Sequence, residues 1–202
     1  MPIQSSSLTI PSNHKYQQTK SVEPSFEINH KHLSVLLEMD MLFHSAKDDP
    51  NFLMNLASLI RYSWKIEAIG IYKEFESLQY HLLSSDVKAG DSYSFPSEIK
   101  LSSQFELIDY DNREKESSKR QLIKDIGCEN KSCSIVGIQN KQQYGGFLVF
   151  LYKENIECPI QPFAKDHLKR LIAWKFERDE AHLFSIQQQN KIEEISKNSV
   201  KK

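Results

Sequence analysis

Neither sign of charge is in excess in this chain, no apolar run approaches bilayer length, and cysteine is scarce. The 26 Lys and Arg against 27 Asp and Glu leave a formal net charge of −1, which removes the electrostatic basis for nucleic acid as a partner. Without a long apolar run there is no spanning helix, and the first residues lack the charged, apolar and small-residue succession of a secretory signal. A cytoplasmic location with no membrane partner is therefore expected. Three cysteines, an odd number, argue for reduced thiols over a disulfide framework. What is present is 39% apolar content over 202 residues, enough for one domain with its own core.

The domain is organised around Ser132 to Arg178. Ile135, Val136 and Ile138, then Phe147 to Tyr152, are β-branched or aromatic runs of strand length, with Asn140 to Gln143 as the turn between them. The second run is apolar at almost every position, as expected of a central strand covered on both faces. Gly145 and Gly146 at its start point to a bulge or to close approach of another backbone. Upstream, residues 1–28 read as a disordered or loosely docked tail, rich in Ser, Gln, Pro and Lys.

Asn29 reads as an N-cap opening a domain over residues 29–186, and 187–202 as a polar helix end or tail. Helix one has two apolar sides: Leu33, Leu36, Leu37 and Met41 on one, Val35, Met39, Leu42 and Ala46 nearly opposite. The second stripe calls for another helix, in this chain or in a second copy. Asp49 and Pro50 restart a helix with Phe52, Leu53, Leu56, Leu59 and Ile60 facing the core. From Lys65 the period changes to that of strands, giving a hairpin broken at Glu74 to Ser77. Residues 84–104 form a long irregular excursion carrying Tyr93 and Phe95, suited to folding over something. FELIDYD is a short strand, and Asn112 to Gly127 a charged helix with Glu116 four before Arg120, ended by Gly127.

In element order, and in three places, the chain resembles the GAF domain, a small-ligand-sensing and dimerising module. FELIDYDNR is similar to the family's strand that ends in Asp. SCSIVGIQNKQQYGGFLVFLY resembles its paired strands, with Gly137 where the family often has proline, and PFAKDHLKRLIAWKFERDEAHL resembles its closing helix. The resemblance covers Leu33 to Leu183. It implies an α+β fold with a central antiparallel sheet, a helical layer on one face and a ligand pocket on the other.

Under that resemblance, Tyr80, Tyr93, Phe95, Phe105 and Asp109 are the expected pocket lining. A homodimer interface is expected at Val35, Met39, Leu42, Trp174, Leu183 and Phe184. On the last helix Leu168, Ile172, Phe176, Leu183 and Ile186 form one stripe, interrupted by Asp179, with Trp174 pointing almost the opposite way. Ile192 and Ile195 fall off that stripe, so no sustained coiled coil is expected; the alternative is a helix folded back on its own sheet.

The expected function is sensory or regulatory, with an unidentified small molecule as ligand. Output passes through homodimerisation or a protein effector, since no catalytic output segment is present. A degenerate scaffold that dimerises or recruits a partner without ligand is the alternative. A thiol enzyme acting on methionine sulfoxide is a minor one: Cys128 and Cys133 lie near where such GAF enzymes carry a catalytic cysteine, but residues 84–104 lack the further cysteines those enzymes use. No catalytic residue, cofactor or metal is expected, because Cys128, Cys133, Cys158 and His167 lack the close pairing of a zinc site. Asn140-Lys141 precedes the GGFLVFLY strand, the wrong side for a cyclic-nucleotide motif. Asp40 and His44, four apart, read as a polar spot at a helix interface or as a pH-sensitive pair.

Overall fold

Strand-period and helix-period segments alternate along the chain as the pattern predicts, and the computed structural model resolves them into one sheet with helices. It describes residues 30–46, 48–101, 110–111, 117–129, 131–140, 143–154 and 156–199. The helices are α1 (His30–Ala46), α2 (Phe52–Trp64), α3 (Ser117–Ile126) and α4 (Pro162–Ser199). The strands are β1 (Ala68–Glu76), β2 (Gln79–Val87), β3 (Glu98–Lys100), β4 (Tyr110–Asp111), β5 (Ser132–Asn140) and β6 (Gln143–Tyr152). They form a six-stranded sheet in the order β3-β2-β1-β6-β5-β4, antiparallel at every pairing.

The uniformly apolar run thus becomes a central strand: β6 lies between β1 and β5. Its alternate residues feed two cores. Leu148, Phe150 and Tyr152 join Ile69, Ile71, Val136 and Ile138 beneath α1, α2 and α4. Phe147, Val149 and Leu151 join Tyr72, Cys133 and Ile135 on the far face. Both glycine expectations for β6 are met. The β5–β6 register slips between Ile138 and Gln139, passing over Gly145, and a Cβ at Gly146 would lie 2.2 Å from the Tyr72 carbonyl oxygen.

Local signals set the ends of the elements. The N-cap of α2 is Asn51, without a side-chain cap bond, and not Asp49 as expected; the Asp49 carboxylate instead accepts the Asn51 N–H at 2.8 Å, an Asx turn that leads into the helix. The β1–β2 turn falls later than expected, at Ser77 and Leu78. Leu78 is left-handed (φ 64°) and donates its N–H to the Glu74 carboxylate at 3.0 Å. Gly127 (φ 75°) ends α3 as expected. Its N–H bonds the Lys124 carbonyl at 2.9 Å and that of Cys128 the Ile123 carbonyl at 3.1 Å, the two bonds of a Schellman cap. Residues 102–109 and 112–116, which hold most of FELIDYDNR and Glu116 of the expected pair with Arg120, lie outside the described residues, as do residues 1–29 with the expected tail and Asn29 N-cap.

Helices α1 and α4 run parallel. Successive contacts join His32 to Phe163 (ring centroids 6.3 Å), Asp40 to His167 (3.0 Å), Phe43 to Trp174 (6.1 Å) and Asp48 to Arg178 (2.7 Å). Asp40 therefore pairs across to α4, 127 residues away, whereas His44 is exposed and packs its ring edge-on to Phe43. Among the described residues, no helix is long and apolar enough to cross a membrane.

Candidate functional site

The far face of the sheet, away from α1, α2 and α4, is where a pocket is expected. Three of the five expected lining residues come together there: Tyr80 on β2, and Tyr93 and Phe95 in the excursion, all within the apolar cluster that includes Tyr72 and Phe147. Phe105 and Asp109 lie outside the described residues. Sequence reasoning missed Tyr72 and Phe147, which are buried in the same cluster. Cross-strand register could have suggested them, since Tyr72 and Phe147 are direct partners on β1 and β6, and neighbours across a ladder share a face.

These rings fill the face with one another. Tyr72 stacks on Phe147 at 4.7 Å between centroids, Tyr80 meets the same ring edge-on at 5.1 Å, and Phe95 stands edge-on to both Tyr72 and Tyr93. Two of the phenol groups are satisfied by main chain: Tyr72 donates to the Pro96 carbonyl at 2.9 Å, and Tyr93 to that of Ile126 at 2.9 Å. Burial, more than any neighbour, pushes the Tyr80 hydroxyl up to about 12 and holds those of Tyr72 and Tyr93 higher still above the ordinary phenol range. At the rim, Lys131 pairs with Asp91 at 2.7 Å. That bond, with the Tyr93 N–H as a second donor, keeps the Asp91 carboxyl below its usual range.

The thiols sit in the same layer. Cys128, placed by the Schellman cap, and Cys133 on β5 are both fully buried; the Cys128 sulfur lies 3.5 Å from the Ile123 carbonyl oxygen. Among the described residues no group of His, Cys, Asp and Glu is arranged to hold a metal. Charged groups that are buried belong to the helical side: Arg61 bonded to Asp86, Lys165 donating to Ser134 Oγ at 2.9 Å and Lys175 to Asp179 at 2.8 Å. A groove of about 400 Å³ also lies on that side, between Asp48 and the Lys175–His182 stretch of α4.

The expected interface residues divide. Val35 and Met39 are 5% and 0% exposed within the single chain; they pack into the helical core, with Leu42 partly buried against it. They are covered without a second copy, and the open stripe of α1 is instead Leu33, Leu37 and Met41. Leu168, Ile172 and Phe176 of α4 are buried on the sheet, as in the folded-back alternative, but only up to Glu180. From Ala181 to Lys197 every residue is exposed, Leu183 and Phe184 included. Trp174 is 57% exposed.

No family model matches the chain, and no curated protein does. Solved structures do resemble it. The GAF domain of a phosphoenolpyruvate-protein phosphotransferase from Coxiella burnetii aligns with a TM-score of 0.56 at 11% identity, covering 76% of this chain and 96% of that one. Free methionine-R-sulfoxide reductase from Neisseria meningitidis, solved with its substrate, aligns at 0.54 and 11% identity over 75% and 91%. The A. aeolicus nlh2 GAF domain in an inactive state gives 0.53 at 12% over 74% and 98%. With the six-stranded antiparallel sheet and its helical layer, these likenesses establish that the chain has the GAF-domain fold.

Proposed function

We propose that this chain is a GAF-fold regulatory module that acts by self-association, two copies packing along α4 and the outer side of α1. The observation that carries this reading is the projecting half of α4. In proteins most helical stability comes from packing of an apolar face, and the stretch contains Gln187, Gln188, Gln189 and Asn190, which add no packing. At 100° per residue, Trp174, Ala181, Phe184, Gln188, Ile192 and Ile195 fall within a sector of about 80°. Ile192 and Ile195, which leave the sheet-facing stripe, thus continue the Trp174 side. Phe184, Ile192 and Ile195 are 62%, 64% and 58% exposed, and covering a side chain of this size contributes about 1.5–3 kcal/mol. A second copy supplies the cover along the whole length. Sedimentation velocity over a range of concentrations tests it: Trp174→Ala with Ile192→Ala should weaken association at least tenfold, whereas Leu183→Ala should weaken it less. Equal effects at both positions would remove the case for this stripe.

A second reading, a small-molecule sensor, is favoured by the aromatic far face and by the excursion over it, whose residues 91–96 are neither helix nor strand. Mass spectrometry of the purified protein and thermal shift against metabolite panels test it, and silence in both counts against it. The thiol-enzyme reading draws less support, because Cys128 and Cys133 are both buried; turnover of methionine sulfoxide that disappears in Cys128→Ser would restore it.

A further inference from the structure

Gly70 is the residue on which the far face turns. It lies in β1, two residues before Tyr72, and a Cβ there would meet three atoms of the Phe95 ring at 3.0, 3.0 and 3.2 Å. The absence of a side chain at Gly70 opens a slot, and Phe95, 8% exposed, fills it. Tyr72 closes one side edge-on at 6.4 Å, and Tyr93 meets the ring edge-on at 4.9 Å.

What holds Phe95 there is unlike what holds the sheet. Residues 91–96 make no ladder. Their attachments include the Tyr93 hydroxyl on the Ile126 carbonyl, the Pro96 carbonyl on the Tyr72 hydroxyl, the Asp91 N–H on the Lys88 carbonyl and, at the rim, Lys131, which pairs with Asp91 and lies over the Tyr93 ring at 5.2 Å. Left-handed Gly90 (φ 88°) stands at one end. At the other the chain rejoins the sheet, where Leu82 donates to the Ser97 carbonyl at 2.9 Å. The segment can therefore lift between Gly90 and Ser97 without breaking any strand pairing.

We propose that residues 91–96 are a displaceable plug, and that the slot over Gly70 accepts an uncharged planar aromatic molecule in place of the Phe95 ring. The class follows from the walls. They are ring faces and edges, which prefer a flat aromatic partner, and among the described residues every buried charge lies on the other side of the sheet. Lifting the plug frees the Tyr72 hydroxyl as a donor and the Ile126 carbonyl as an acceptor, so a heterocycle with both functions is preferred. This rests on the sensor reading and is independent of whether α4 self-associates.

The test uses the full chain. Phe95→Ala empties the slot, and indole, with cyclohexanol as a non-planar control, is the probe. Indole in the low millimolar range should raise the Tm of Phe95→Ala by about 3 °C or more beyond its effect on wild type, and cyclohexanol should not. In wild type, amide exchange at residues 92–95 should be at least about tenfold faster than at Ile69 to Tyr72, with opening that does not require global unfolding. An indole effect equal in both proteins, or matched by cyclohexanol, would overturn the proposal. If Phe95→Ala fails to fold, exchange in wild type decides alone: opening of the segment only with the whole domain makes it ordinary core. A wild-type protein that carries a bound ligand while Phe95→Ala ignores indole would sink the plug and leave the sensor reading standing.

Discussion

Two glycines in the paired strands β1 and β6 test whether the account has identified the right contacts. At Gly146 an added Cβ would lie 2.2 Å from the Tyr72 carbonyl oxygen and 2.9 Å from a Phe176 ring carbon. Tyr72 and Lys73 are held by the β1–β6 ladder itself, so relief requires about 1.3–1.8 Å of movement between central strands to reach ordinary contacts of about 3.5–4.0 Å. Overpacking of this kind costs about 1–3 kcal/mol and occasionally more. The upper end applies where backbone is struck, offset by the 0.5–1 kcal/mol or so that Ala gains over Gly within a strand. At Gly70 the obstacle is a side chain, the Phe95 ring at 3.0 Å, in a segment without ladder bonds, and the net cost should be about 1 kcal/mol. Gly146→Ala should therefore lower the urea midpoint by about 1 M or more and Gly70→Ala by less than about 0.5 M, taking m near 2–3 kcal/mol/M. If the two variants unfold together, or Gly70→Ala is the weaker protein, the assignment of backbone contact to Gly146 and ring contact to Gly70 is wrong.

Three further outcomes follow from named contacts. Asp49→Ala should cost about 0.5–1 kcal/mol, the worth of one exposed turn hydrogen bond, and Asp49→Asn much less, because the carboxylate oxygen that accepts from Asn51 has an amide equivalent; chemical denaturation reads both. Tyr72, Tyr80 and Tyr93 have raised folded-state values, so the stability they contribute is complete below the ordinary phenol value near 10 and is lost as pH rises toward the folded values, about 12 for Tyr80. Phenolate absorbance should accordingly rise in step with unfolding above pH 10, and a smooth early titration of all tyrosines would contradict their burial. A double-mutant cycle of Asp40→Asn and His167→Gln should show coupling of up to about 1 kcal/mol, with none between Asp40 and His44.

Much of the fold was legible because its signals are local. The period change at Lys65, the glycine at the end of α3 and the unbroken apolar run of β6 each act within a few residues, and each has its expected consequence. The candidate site was legible only by composition. Tyr80, Tyr93 and Phe95 stood out as aromatics in the right region, but the slot depends on Gly70 facing Phe95 across a fold, and nothing near either residue in the chain announces the other. For α1 the failure was of a different kind. Both of its sides are apolar, so periodicity could not say which one the domain covers; the sheet and α2 take Val35 and Met39 and leave Leu33, Leu37 and Met41 in the open. Asp40 likewise had two histidines to choose from, and packing of α1 on α4 selected the one 127 residues distant.

Native mass spectrometry of the freshly purified chain reads association and retained small molecules in one spectrum. Self-association through α4, with Phe95 filling the far face, should give a dimer at twice the bare chain mass. A bare monomer at micromolar concentration would contradict self-association through α4, and a dimer carrying extra mass would move the weight to the small-molecule reading.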